Sequence, residues 1–341
     1  LSRLRGPGNT RADGYRIKWQ EFRTSLEASG SDRRIDANQF IHHWWLSRAD
    51  YVAQRKLFRS IKTSVKSVTN AEGMLDELSA DATHYRTAIQ PGSVNWPIEV
   101  RQARDSLMAL SEFGVSQPAP LLLALVRARA STPKLGANQL NTTLEVIERF
   151  HFQSTIVAQL SSSGGVSSMY AKAARDLYAA GADPQARANV LAEIRSKLIE
   201  RSPDKEQFIA AFKDRFIFTS VLTRDKALVQ YVLKRLLKAT HPTTSLDNLT
   251  IEHILPEQSG DAADAASPIG SIGNLLMVDT ELNGLLGHKD FTLKRAILEE
   301  HGLGYVTDGI LDQSEWTEVQ IAARARAMSE RAYDSVWNLP L

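Results

Sequence analysis

The chain has no cysteine among its 341 residues. That absence excludes disulfide bonds, cysteine-ligated zinc and thiol catalysis, and it agrees with a reducing compartment. An excess of one charge is missing as well, since 41 Lys and Arg residues stand against 39 Asp and Glu residues. If the protein binds nucleic acid, it must therefore do so through a local basic patch and not through its net charge.

Long apolar runs are also missing. The most apolar stretch, residues 120–126, is far shorter than the about 20 apolar residues that a membrane-spanning helix needs. The first residue is Leu1, and no signal-peptide pattern follows it. We interpret the chain as a piece of a longer protein and expect no membrane partner.

Residues 1–245 carry apolar residues at spacings of three and four, with little alternation of period two, which predicts a helical domain. Clusters of Gly, Pro and Ser divide this region into helices of ordinary length. No internal repeat is present, which disfavours a solenoid. The pattern changes after Ser245, and a second domain is predicted over residues 246–341.

Within the first domain, residues 44–68 are predicted to form one amphipathic helix. Its apolar stripe consists of Trp44, Tyr51, Phe58, Ile61, Val65 and Val68. A basic stripe flanks it, made of Arg48, Arg55, Arg59, Lys62 and Lys66. Two interpretations stay open: an ordinary solvated face, or a face that contacts nucleic-acid phosphates through Arg55, Arg59 and Lys62.

The second domain has a different pattern. Residues 249–255 and 273–279 are short, aliphatic and bounded by turn residues, which predicts two strands. Residues 256–271 between them are predicted to be a loop. After a further short loop, residues 291–301 are predicted to form a helix that Gly302 ends. A last helix is predicted over residues 314–333.

Four polar residues in this part of the chain have the chemistry of a one-metal phosphodiester hydrolase: Glu252, His253, Asn274 and Asn283. A neutral histidine can take a proton from an attacking water because its pKa lies near neutral pH. Carboxylate and amide oxygens are hard ligands that suit Mg²⁺ or Mn²⁺. Adjacent residues of a strand point to opposite faces. Glu252 and His253 can therefore serve one site only if the strand ends or bends there, which Pro256 favours.

Three segments carry a resemblance to a known family: IEHILPE at 251–257, SIGNLLMVDTELN at 271–283 and HKDFTLKR at 288–295. In combination they resemble the C-terminal HNH nuclease domain of GmrSD-type and SspE-type DNA restriction proteins. The resemblance extends more loosely to a helical region upstream. It implies a mainly α protein in which a helical domain is followed by a ββα-metal (HNH) nuclease domain.

The resemblance also implies roles for the four residues. His253 is expected to be the general base, and Asn274 to brace the loop that orients it. Glu252 and Asn283 are expected to hold Mg²⁺ or Mn²⁺, with His288 as an alternative to Asn283. Lys289, Lys294 and Arg295 either contact DNA phosphates or form an ordinary solvated face.

The function that the resemblance implies is DNA cleavage or nicking in restriction of modified or phage DNA, in the bacterial cytoplasm. An N-terminal NTP-hydrolysing sensor domain, typical of such proteins, has no counterpart in this sequence. Two alternatives stay open. The first is a non-catalytic helical DNA-binding or interaction module with a degenerate HNH motif. The second is an enzyme that acts on RNA, since DNA and RNA share phosphodiester chemistry.

Overall fold

The computed structural model describes residues 12–27, 35–160 and 165–339. Over these residues the chain is mainly helical, as predicted. One of the predicted Gly- and Ser-containing breaks between helices, at residues 161–165, lies largely outside the described residues, as do the last two residues of the chain. The first helices of the described chain are α1 (Ala12–Glu27), α2 (Ala37–Leu46), α3 (Leu57–Ser64), α4 (Val68–Ile89), α5 (Arg101–Glu112), α6 (Ala119–Ala130), α7 (Ala137–His151), α8 (Val166–Ala179) and α9 (Pro184–Glu200).

The remaining elements are α10 (Lys205–Arg215), α11 (Lys226–Thr240), β1 (Leu249–His253), β2 (Leu275–Asp279), α12 (Thr280–Leu286), α13 (Phe291–His301) and α14 (Glu318–Arg331). The chain divides into two compact units. The first comprises Leu1–Glu148 and Ser161–Arg201, and the second Arg149–Leu160 and Ser202–Leu341. The second unit therefore begins well before residue 246, where the sequence pattern changes.

The first unit is a helical assembly whose central element is α6, which packs against α4 and α8. Residues 119–126 of α6 are all buried. The most apolar stretch of the sequence thus lies in a core helix. Because this part of the helix is buried on all sides, it has no polar face to interrupt the run of apolar residues. No helix in the described part of the chain has the length and apolarity needed to cross a membrane.

The prediction of a single helix over residues 44–68 is wrong. Helix α2 ends at Leu46, and the chain leaves the helical path before α3 and again before α4. Trp45 donates its indole N–H to the Asp50 carbonyl, 3.1 Å away, which holds the first turn. Ser67 caps α4 by accepting from the Asn70 N–H at 3.1 Å, and a serine before a helical run favours a new helix start over continuation.

The apolar stripe predicted on that helix is wrong for the same reason. Tyr51, Phe58 and Val68 are exposed, by 54%, 78% and 42%. Arg48 does not continue a basic surface, because its guanidinium pairs with Asp81 and Glu77. Beyond Arg48, the basic residues of the stripe are exposed. The apolar spacing predicted a buried face where the chain presents aromatic rings to solvent.

The second unit is built around an aromatic cluster. Trp337 from the C-terminal tail is fully buried and stacks on Phe152, with ring centroids 3.8 Å apart and planes at 14°. Phe152 also stacks on Phe216, which is fully buried where the chain leaves α10. Buried aromatic pairs contribute more than their area alone. The tail and the chain after α10 are therefore held in one core.

The two strands form an antiparallel pair in which His253 lies opposite Leu275. Both predicted strands exist, each two residues shorter than predicted, and α13 has the predicted bounds. The predicted short loop before α13 is wrong in part, because it contains α12. Asp279 caps α12 by accepting from the Leu282 N–H at 2.8 Å, and Gly287 ends it with φ at +47°.

Gly273, just before β2, lies against α14. A Cβ atom at this position would lie 2.1 Å from the carbonyl oxygen of Ile321 in α14. The Arg324 guanidinium, also from α14, donates to the carbonyl oxygens of Gly273 and Leu275 at 2.8 Å each. The glycine therefore permits an approach between the backbone of α14 and the chain just before β2 that no side chain would allow.

Gly273→Ala is expected to lower the free energy of unfolding by about 2 kcal/mol or more, because α14 must move to accept the methyl group. Gly284→Ala is the matched control, since a Cβ there meets nothing within 4 Å and alanine stabilises a helix interior by roughly 0.5–1 kcal/mol. Denaturant unfolding of both variants measures the difference. Equal stability of the two variants would contradict this packing.

Candidate functional site

His253 is the last residue of β1, and its imidazole has a defined orientation. Its Nε2 lies 2.9 Å from the Phe218 carbonyl oxygen and 3.3 Å from Oε1 of Glu257. Both neighbours are acceptors, so Nε2 carries the proton and donates it. Nδ1 then holds the lone pair of the neutral ring. The ring also stacks on Phe218, with centroids 5.9 Å apart and planes at 21°.

The charge state of His253 depends mainly on burial, since its side chain is only 12% exposed. Burial lowers the pKa of His253, and the Phe218 carbonyl and the Glu257 carboxylate partly oppose that shift. A histidine with a lowered pKa is neutral at neutral pH. The arrangement therefore presents a neutral imidazole whose free nitrogen can accept a proton.

The segment that orients His253 lies 35 positions earlier in the chain. Phe218 donates its N–H to the Gly270 carbonyl at 2.9 Å, and Ile272 donates to the Phe216 carbonyl at 3.1 Å. Ile217 forms an isolated antiparallel bridge with Ser271. These bonds attach the segment after α10 to the loop before β2. The Phe218 carbonyl is thereby fixed beside the imidazole.

Glu257 was not singled out by the sequence, and neither was the segment around Phe218. The Glu257 carboxylate accepts from the Ser220 N–H at 2.7 Å and from the Ser220 hydroxyl at 2.5 Å. Oε1, which accepts from the Ser220 N–H, is also the oxygen that lies near Nε2 of His253. Glu257 follows His253 by four positions, and an acidic residue at this distance after the candidate histidine was the only local signal for it.

Asn274 is completely buried and all of its amide hydrogen-bonding capacity is used. Its Oδ1 accepts from the Leu255 N–H at 2.7 Å and from the Trp316 indole at 3.0 Å. Its Nδ2 donates to the carbonyl oxygens of Leu255 and Ile269, at 2.9 Å each. The side chain therefore ties the residues that directly follow His253 to the end of the intervening loop.

Glu252 points to the other face of the sheet from His253. It lies opposite Leu276, so both side chains face α12 and α13. There Oε1 lies 2.5 Å from Nζ of Lys294, which also donates to the His253 carbonyl at 2.6 Å. Burial raises the pKa of Glu252 and lowers that of Lys294, and their ion pair opposes both shifts.

Lys294 is therefore not placed to contact DNA phosphates. The side chain is only 1% exposed, because α13 directs it beneath the sheet and not toward solvent. Arg295 donates to the Gln313 carbonyl at 2.7 Å and lies 3.6 Å from Glu299, so a protein acceptor already engages its guanidinium. Lys289 is exposed, and its ammonium donates to the Leu285 carbonyl at 2.7 Å.

Asn283 lies in α12 and not in a loop, and this helix sets its position above β1. Its Nδ2 donates to the Ile251 carbonyl at 3.2 Å, which leaves Oδ1 as the atom available to a ligand. His288 is exposed, and its Nε2 lies 3.3 Å from Nε2 of Gln258. The His288 charge reaches Glu252 and acts to lower the pKa of that carboxyl. A hydrogen bond thus places Asn283 beside β1, and an electrostatic interaction links His288 to Glu252.

Whether these residues suit a metal ion can be judged from their donor chemistry. The described residues contain no group of three His, Cys, Asp or Glu side chains spaced to hold a metal. Mg²⁺ commonly uses only one or two carboxylates, with water and phosphate oxygens completing its shell. The Glu252 carboxylate and the Asn283 amide oxygen have the donor chemistry that such a sparse site uses.

Residues 206–331 match the family model described as GmrSD restriction endonucleases, C-terminal domain. The resemblance predicted from the motifs is thus confirmed for this part of the chain. The match begins within α10 and so includes the segment around Phe218 that orients His253. No curated protein matches the sequence.

Asn274→Asp is expected to lower the free energy of unfolding by about 2 kcal/mol or more. A carboxylate would face two backbone carbonyls that now receive hydrogen bonds, and it would be buried without a cation. Asn248→Asp is the control, since Asn248 is exposed with φ at +57°, a conformation that Asp tolerates. If denaturant unfolding gives the two variants equal stability, the bracing role of Asn274 is refuted.

Proposed function

We infer, from the match of residues 206–331 to the C-terminal domain of GmrSD restriction endonucleases, that this chain contains the DNA-cleaving part of a restriction enzyme. The reaction that we propose is hydrolysis of DNA phosphodiester bonds at an HNH-type, ββα-metal site. The observation that carries the proposal is His253, whose neutral ring is anchored through Nε2 and keeps Nδ1 for a proton. A restriction role further suggests a bacterial cytoplasmic protein and an N-terminal sensor domain in the complete enzyme.

In the proposed reaction, Nδ1 of His253 removes a proton from the water that attacks phosphorus. The ring becomes an imidazolium at that moment, and its Nε2–H already faces the Phe218 carbonyl and the Glu257 carboxylate. These acceptors stabilise the positive charge without having to reorganise. Asn274 contributes indirectly, because it fixes the residues that directly follow His253.

Glu252 and Asn283 are the residues that would hold Mg²⁺ or Mn²⁺, with His288 as a further candidate ligand. A bound divalent cation supplies positive charge that offsets the charge developing on the phosphoryl and leaving oxygens. Lys294 orients the Glu252 carboxylate beneath the sheet and favours its ionised form. Lys289, exposed next to His288, is the residue of this region best placed to contact a DNA phosphate.

His253→Ala is expected to reduce plasmid nicking in Mg²⁺ by at least about 100-fold, because the general base is lost. EDTA is expected to abolish nicking by the unchanged protein. His301→Ala is the matched control: this histidine ends α13 in the same unit, and its side chain is 50% exposed. Cleavage that survives His253→Ala would refute the assignment, and cleavage by none of the proteins would favour a non-catalytic DNA-binding module.

Glu257→Gln is expected to lower the rate of cleavage about tenfold while leaving DNA affinity unchanged. The variant keeps an acceptor for Ser220 but removes the negative charge beside the imidazolium, a loss of about 1.4 kcal/mol of stabilisation in the transition state. Glu300→Gln is the control, since this side chain is 75% exposed. Single-turnover kinetics with saturating enzyme separate the rate of cleavage from DNA binding. A wild-type rate in Glu257→Gln would mean that the Phe218 carbonyl by itself stabilises the imidazolium.

A further inference from the structure

An exposed surface of the first unit has no role in the proposed cleavage site. We define the α3 surface as α3 and its flanks, with two aromatic and five basic side chains that are all exposed. They are Tyr51, Arg55, Lys56, Phe58, Arg59, Lys62 and Lys66. Arg55, Phe58 and Lys62 follow one another at spacings of three and four, which places cations on both sides of the phenyl ring.

The cations of the α3 surface have no acidic partner among the described residues. No acidic residue occurs between Asp50 and Glu72. None of the five basic side chains makes an ion pair or side-chain hydrogen bond with a residue that the structure describes. Arg48, just before this segment, differs because it pairs with Glu77 and Asp81. A chain with a net charge of only +2 thus concentrates five unpaired positive charges on one short helix and its flanks.

The aromatic rings of the surface are exposed to an unusual degree. Phe58 is 78% exposed and Tyr51 is 54% exposed, while Leu57 is the buried residue that attaches α3 to the unit. Ile61 and Val65 are half-buried. The surface therefore offers isolated rings between cations and not the continuous apolar face with which an amphipathic helix enters a lipid layer.

Isolated exposed rings between unpaired cations have the chemistry of single-stranded nucleic-acid recognition. The cations neutralise backbone phosphates, and each ring can stack on a base. A duplex hides its base faces, so only unpaired bases can use the rings. We propose that the α3 surface binds single-stranded DNA, with Phe58 and Tyr51 as stacking platforms. The choice of DNA over RNA rests on the proposed function.

The binding is measured by fluorescence anisotropy in EDTA, which separates it from cleavage. The probes are a labelled 20-nucleotide strand and the same sequence as a duplex. Phe58→Ala is expected to weaken single-strand binding about tenfold and to leave duplex binding nearly unchanged. The control is Ile98→Ala, at a residue of the same unit that is 80% exposed, and it should bind as the unchanged protein does.

The electrostatic part is tested by salt dependence. Replacing Arg55, Arg59 and Lys62 together by Gln is expected to weaken binding and to reduce the slope of log affinity against log salt by about 2, because three phosphate contacts are lost. Lys134→Gln, at an exposed basic residue elsewhere in the unit, should leave both quantities close to wild type. Thermal unfolding of each variant confirms that it is folded.

Three outcomes overturn the proposal: no binding to the single strand at low salt, equal loss of duplex and single-strand binding in Phe58→Ala, or binding to phosphatidylserine vesicles without binding to DNA. Preferential binding of an RNA strand of the same sequence would overturn the choice of DNA. Failure of plasmid nicking would refute only the proposed function. The effect of Phe58→Ala on single-strand binding is measured in EDTA, where no cleavage is needed.

Discussion

The geometry around His253 depends on one buried amide. Asn274 has no contact with solvent, yet all four of its hydrogen-bonding positions are satisfied, three by backbone groups and one by the Trp316 indole. A buried amide that loses any of these partners would suffer the full cost of desolvation. The chain after His253 therefore has one conformation in which Leu255 and Ile269 meet this side chain. The position of the imidazole follows from that constraint.

A second constraint is the alternation of side chains along β1. Glu252 and His253 are neighbours in sequence and face opposite sides of the sheet. The side of Glu252 carries a buried ion pair with Lys294, whose ammonium also binds the His253 carbonyl. Removing either partner would leave an uncompensated buried charge. On the side of His253, a carbonyl and a carboxylate hold a neutral ring, so the two faces differ in charge as well as in position.

The helices and strands that could be predicted from the sequence are those whose ends depend on residues close by in the chain. Helix α13 has its predicted bounds because Asp290 caps it and Gly302 follows it. Helix α12 was missed because seven residues are too few to display a helical period, although its Asp279 cap and its Gly287 end are ordinary signals. The helix predicted over residues 44–68 was wrong because apolar spacing does not reveal where the chain leaves a helix. Those ends are set by the hydrogen bond that the Trp45 indole donates and by the one that the Ser67 hydroxyl accepts.

The sequence by itself determined the order of the two strands and α13, the identity of the polar residues between them, and the family resemblance of this region. Only the tertiary structure decided what surrounds those residues. Phe218 and Glu257 orient His253 through a carbonyl and a carboxylate, and a backbone carbonyl has no residue type by which a sequence could reveal it. Lys294 is buried against Glu252, although its sequence neighbours suggest a solvated helix face. Glu257 is only four positions from His253, but the Phe218 and Lys294 contacts join segments 35 and 42 positions apart in the chain, which no local pattern encodes.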